Sequence, residues 1–161
     1  MNNLYLEAPN YANKFPNNSI FLAGSITGAW NWQEKVAKKL LPFYSVINPR
    51  RENFNALDRR QEEIQITWEH HYLSVCKNIL FYFSHETLAP ITLLELGAIL
   101  ESAKHLPFSR NVYICIHPEY KRKNYVIIQT RLRNNKYSKY IFDDLDLMTD
   151  IIIEKNLTFK I

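Results

Sequence analysis

A chain of 161 residues with 47% hydrophobic and 22% charged side chains has the balance of one globular domain, 1–161, and excludes a disordered or low-complexity protein. Its formal charge of +4 comes from scattered Lys and Arg, with no basic arm and no zinc-finger, RRM or KH motif, so a nucleic-acid polymer is not an expected partner. No apolar run approaches the about 18 residues that cross a bilayer, and Met1-Asn-Asn-Leu-Tyr-Leu-Glu lacks a signal-peptide pattern, so no membrane contact and a cytoplasmic location are expected.

In chain order, residues 1–18 are rich in Asn, carry Pro9 and Pro16, and read as an irregular lead-in. Ile20-Phe-Leu-Ala23 is a short apolar run closed by Gly24, which suits a buried strand. Residues 30–41 set Trp32, Val36 and Leu40 against Lys35, Lys38 and Lys39, as in an amphipathic helix stopped by Pro42. Tyr44-Ser-Val-Ile47 predicts a second strand, 50–60 a polar loop, and 61–75 a helix with Ile64, Trp68, Tyr72 and Val75 at helical spacing. Asn78-Ile-Leu-Phe-Tyr-Phe83 has the unbroken apolarity of a strand covered on both faces. Pro90 then opens a helix reaching about Lys104, since proline is favoured at the first helical position.

Val112-Tyr-Ile-Cys-Ile116 predicts a further buried strand, 125–132 reads as helix or strand, and 144–157 as the last helix. Cys76 and Cys115 sit singly in apolar runs, as small core residues do in a reducing compartment. The alternation of strands and helices predicts an α/β three-layer sandwich with a mostly parallel sheet of about five strands. In such sheets the ligand lies beyond the carboxyl ends of the strands. That rule directs attention to 24–30, 48–51, 84–90 and 117–123.

Among those segments and the helices they open, Glu95 stands out. It lies about one and a half turns into the third helix, among Leu93, Leu94, Leu96 and Ile99, on a thin polar stripe with Thr92 and Ser102. The helix dipole favours its anion while apolar neighbours raise its pKa and reactivity. Such a carboxylate can attack an anomeric carbon, or it is an ordinary half-exposed helix residue. Gly97, costly inside a helix, suggests close packing or ligand approach beside it. Arg50 and Arg51 could grip a phosphate or form surface ion pairs. His85 and Glu86 are loop acid–base candidates or solvated polars, and His70 and His71, being adjacent, read as structural or surface residues. Neither a Walker loop nor a dinucleotide fingerprint is present, and no cofactor or metal is expected.

Five segments carry a resemblance. Ile20-Phe-Leu-Ala-Gly-Ser-Ile-Thr-Gly28, Trp32-Gln33, Asn48-Pro-Arg-Arg51, Gln65-Ile-Thr-Trp-Glu69 and Pro90-Ile-Thr-Leu-Leu-Glu-Leu-Gly97 occur in an order that resembles the nucleoside 2-deoxyribosyltransferase-like family. The resemblance implies a flavodoxin-like domain that cleaves or transfers at the N-glycosidic bond of a (deoxy)nucleoside or its 5′-monophosphate through a glutamyl glycosyl-enzyme. It also implies a homodimer or larger homo-oligomer. Carried over residue by residue, it makes Glu95 the nucleophile and Glu69 the acidic partner on the preceding helix. It sets Gly24, Ser25 and Thr27 beside the sugar or its 5′-phosphate; Phe21, Trp30, Arg50, Arg51 and Pro90, at or near the strand ends, complete the expected substrate-binding set. Two positions depart from the family pattern: Ala89 stands where an Asp contacts the base, and Phe21 where a Tyr lies beside the nucleophile. These departures fit a divergent branch, and keep open a non-catalytic nucleotide-sensing module on the same fold.

Overall fold

A computed structural model describes residues 3–16, 18–55, 57–106 and 109–158. In chain order the elements are β1 (Tyr5–Glu7), β2 (Ser19–Gly24), α1 (Trp32–Leu40), β3 (Ser45–Asn48), α2 (Arg59–Val75) and β4 (Asn78–Phe83). There follow α3 (Pro90–Ser102), β5 (Asn111–Ile116), α4 (Lys123–Asn134), a 3-10 turn (Asn135–Tyr140), β6 (Ile141–Phe142) and α5 (Leu145–Thr158). One six-stranded sheet runs in the order β1-β3-β2-β4-β5-β6, and every neighbouring pair is parallel. The fold is flavodoxin-like α/β.

Strand alternation builds two cores. Phe21, Ala23, Ile79, Phe81, Phe83 and Ile114 face Trp68, Tyr72, Leu96 and Val126 on one side. Ile20, Leu22, Leu80, Tyr82 and Cys115 face Trp32, Val36, Leu40 and Ile152 on the other. Because both sheet faces are covered, the central strands need no polar alternation, which is why they read as continuous apolar runs.

One expectation needs correction and two are sharpened. The lead-in is not wholly irregular, since Tyr5–Glu7 adds an edge strand against β3. The expected sheet of about five parallel strands has six, its edges being β1 and the two-residue β6, which is too short to show a period in sequence. Residues 125–132 lie in α4, whose β-branched Val126 and Thr130 are buried one turn apart; a crossover helix after a parallel strand overrides their strand propensity. Among the described residues no helix is long and apolar enough to cross a membrane.

The strand order sets the position of the crevice. From β2 the chain passes to β3 on one side, then returns to β4 on the other. The loops leaving β2 and β4 therefore diverge, and a cleft opens beyond the carboxyl ends of these two strands.

Candidate active site

At that switch point lies a cavity of about 360 Å³. The β2 end contributes Phe21, Gly24, Ser25 and Thr27; the loop after β3 contributes Arg51 and Phe54. Helix α2 adds Glu62, Gln65, Ile66 and Glu69, and the α3 entrance adds Thr87, Ala89, Pro90, Ile91, Thr92 and Glu95. Apolar walls with a few converging polar groups are the usual character of a small-molecule site. A second depression of about 390 Å³ lies between α3 and α4, lined by leucines, Tyr125 and Gln129, with two arginines and no carboxylate. It offers no comparable chemistry.

Helix geometry brings the carboxyl groups to the cavity. Asp58 caps α2 by accepting hydrogen bonds from the Arg60 and Gln61 N–H groups at 3.0 and 3.4 Å, satisfying donors that the first turn leaves free. Glu62, Gln65, Ile66 and Glu69 then follow at i, i+3, i+4 and i+7, so one face of α2 looks into the cavity. Across it, α3 begins at Pro90 after Ala89, which holds a left-handed backbone (φ 43°) and supplies no side-chain cap. Ile91 and Glu95 lie four residues apart and share the cavity-facing side.

Glu69 and Glu95 are both half-buried. Loss of water raises the Glu95 carboxyl to about 8, and the charge of Glu69 pushes it the same way. Burial also raises Glu69, opposed by a hydrogen bond from Gln65 Nε2 to its Oε1 (2.8 Å) and by the nearby Arg51 guanidinium. The two groups are thus an interacting pair in which ionising one disfavours ionising the other. No hydrogen bond reaches the Glu95 carboxyl among the described residues, so its oxygens are uncommitted.

The loop after β2 is held by the motif residues themselves. Gly24 has φ 154°, and a Cβ there would fall on the Tyr82 carbonyl oxygen and the Trp32 ring, so only glycine fits. The Ser25 carbonyl accepts hydrogen bonds from Trp32 Nε1 (2.8 Å) and Gln33 Nε2 (3.4 Å). Its hydroxyl accepts one from the Ser84 N–H (3.2 Å), which joins the β2 and β4 loops. Arg50 donates from Nε to Gln33 Oε1 (2.9 Å) and from one Nη to the carbonyls of Ile26, Ala29 and Trp30 (3.0 to 3.1 Å). Its charge is spent on clamping backbone.

Of the residues singled out from sequence, Glu95, Glu69, Phe21, Gly24, Ser25, Thr27, Arg51 and Pro90 meet at the cavity. Arg50 and Trp30 do not. The Trp30 ring packs edge-on against Tyr82, and the Trp30 backbone N–H donates to Glu86 Oε2 at 3.0 Å. Glu86 also accepts from Ser84 Oγ (2.8 Å), and these two hydrogen bonds hold its carboxyl below the usual range; it serves as a loop brace. Gly97 is not closely packed, since a Cβ there meets nothing within 4 Å; it lines the depression between α3 and α4 instead of the cavity. Thr92 lines the cavity with Glu95, but Ser102 only bonds the Ile99 carbonyl at the helix end. Glu62, Gln65 and Ile66 were not singled out, although their spacing from Glu69 marks them as one helix face. Phe54 lies in an irregular polar loop after Asn53 (φ 55°), where no periodic pattern could reveal it.

Two interacting carboxyls in an apolar-walled cavity at the switch point of a parallel α/β sheet have the character of a small-molecule site. Residues 17–113 match the family described as nucleoside 2-deoxyribosyltransferase like. The chain belongs to that family. No curated protein matches it.

Proposed function

We propose that the chain cleaves or transfers at the N-glycosidic bond of a nucleoside, with Glu95 as nucleophile and Glu69 as its proton partner. The observation that carries this is the placement of two coupled carboxyls on facing helices of one cavity, in a chain of this family. The pair shares one proton. When it resides on Glu69, the Glu95 carboxylate attacks C1′, the C1′–N bond breaks, and its electron pair leaves with the base, which takes the proton from Glu69. Water or a second base then attacks C1′, releases Glu95 and returns a proton to Glu69. Phe54, Ile66 and Ile91 supply apolar surface for a planar base.

The lining carries one arginine, Arg51, against Glu62, Glu69 and Glu95. With Arg50 committed to backbone, this charge balance favours an uncharged nucleoside over its 5′-monophosphate. Incubating the protein with deoxynucleosides, with and without a second free base, distinguishes exchange from hydrolysis by chromatography. Loss of base release in Glu95→Gln, with folding retained, is expected; wild-type turnover in that variant removes Glu95 as nucleophile. The non-catalytic reading draws on Ala89, which presents a buried methyl where the family carries an Asp. Ligand-dependent thermal stabilisation without base release across the nucleoside panel selects it.

Self-association fits an exposed apolar face formed by α3 and α4. Leu94 and Leu132 are 71% and 70% exposed, and Tyr125, Ile128 and Leu132 form a stripe along α4. A homo-oligomer closing over α3 and α4 covers them. Sedimentation of Leu94→Glu beside wild type tests this: the variant should shift to monomer.

A further inference from the structure

The in-register pairing of β4 and β5 brings together three side chains that the cavity does not use. Phe83 lies opposite Ile116, and the ladder continues through a hydrogen bond from the His117 N–H to the Phe83 carbonyl (3.0 Å). His85 and His117 consequently emerge side by side, with ring centroids 4.1 Å apart and planes tilted by 32°. Glu119 follows on the same loop, and one ligating atom from each of the three lies within 4.8 Å of the others. His85 and Glu119 are exposed and His117 is half-buried.

We infer that His85, His117 and Glu119 bind a divalent transition-metal ion of the zinc class and thereby tie the β4–α3 loop to the β5–α4 loop. Two imidazole nitrogens with one carboxylate suit zinc rather than calcium or magnesium, which take oxygen ligands. A tetrahedral zinc site sets donor atoms about 3.3 Å apart, so the present cluster closes by side-chain rotation on exposed loops. Water completes the fourth position. One contact must open on loading. Glu119 N–H donates to His117 Nδ1 at 3.2 Å, and ligation through either ring nitrogen displaces it, because binding at Nε2 puts the ring proton on Nδ1.

The consequence is mechanical. The same two loops already touch where Tyr120 Oη donates to the Leu88 carbonyl (2.8 Å). Leu88 precedes Ala89 and Pro90, at the start of the helix that carries Glu95. A bound ion adds a second tie between these loops, and braces the α3 entrance from outside the cavity. This inference does not depend on glycosidic-bond chemistry. Cys76 and Cys115 are buried and offer no competing thiol site.

The test uses the full chain after chelator treatment and dialysis, titrated calorimetrically with zinc sulfate and, separately, magnesium chloride. One zinc per chain and no magnesium binding are expected. Thermal unfolding should rise by roughly 5–10 °C at a hundredfold excess of free zinc over its Kd. His85→Ala and Glu119→Gln each weaken zinc binding roughly tenfold or more; both positions are exposed, so circular dichroism should match wild type. Absence of zinc-dependent heat and stabilisation overturns the site. So does zinc binding that survives unchanged in the His85→Ala, Glu119→Gln double variant.

Discussion

Replacing Glu95 with Gln should change how stability depends on pH before it changes anything else. The Glu95 carboxyl sits at about 8 in the folded chain against an ordinary value of 4.5. The folded state therefore binds this proton more tightly than the unfolded state. The resulting stabilisation is fully present below 4.5 and is lost as pH rises through about 8. At 1.36 kcal/mol per pH unit, the full difference amounts to about 5 kcal/mol. Water reaching an open cavity screens the charge, so about 2–3 kcal/mol is the expected effect. The substituted amide cannot ionise and keeps a similar shape. Urea unfolding of wild type and Glu95→Gln at acidic, neutral and mildly alkaline pH should show the variant gaining that amount on wild type as pH rises. Parallel stability profiles across the range would falsify the assignment of Glu95 as the buried, proton-holding carboxyl.

Glu69→Gln removes the charge that acts on Glu95, so the Glu95 titration followed by carbon NMR should move to lower pH; an unmoved titration shows that the two groups are independent. The same variant should lose most base release from ordinary nucleosides yet keep more of it with a leaving group that needs no proton, whereas equal losses on both substrates argue against Glu69 as the acid. Two glycines should respond in opposite directions. Gly24→Ala should destabilise by about 3 kcal/mol or more, through the clash with the Tyr82 carbonyl and the Trp32 ring. Gly97→Ala should stabilise by up to about 1 kcal/mol, because the added methyl meets nothing and improves helix propensity; thermal melts of both decide the matter. Arg50→Ala should cost about 2–3 kcal/mol by freeing the carbonyls of Ile26, Ala29 and Trp30. If Arg50 instead grips phosphate, that variant changes discrimination between nucleoside and 5′-monophosphate while stability holds.

Local pattern was enough for the central strands, because Ile20–Ala23, Asn78–Phe83 and Val112–Ile116 are covered on both faces and must be apolar throughout. The helix opened by Pro90 and the prominence of Glu95 were equally legible, since a proline at the first helical position and an isolated carboxylate among leucines are local signals. The edge strands were not legible: Tyr5–Glu7 and Ile141–Phe142 are too short for any period and exist because a neighbouring strand offers hydrogen bonds. Nor could local pattern separate Arg50 from Arg51. They are adjacent, identical in chemistry and equally plausible as anion ligands. Only the packed chain shows one turned into the β2–α1 loop and the other lining the cavity.

The same division applies to the site as a whole. Glu95, Glu69 and the Gly24–Ser25 turn could be named from residue order, since each lies within a short motif. Their convergence could not, because it depends on the strand order that reverses between β2 and β4 and so opens the crevice. The elevated pKa of Glu95 is likewise a tertiary property: it arises from water lost to walls built by four separate segments and from a second carboxyl on another helix. Sequence determined which groups are available; folding determined which of them meet in one cavity, close enough for the charge of one carboxyl to act on the other.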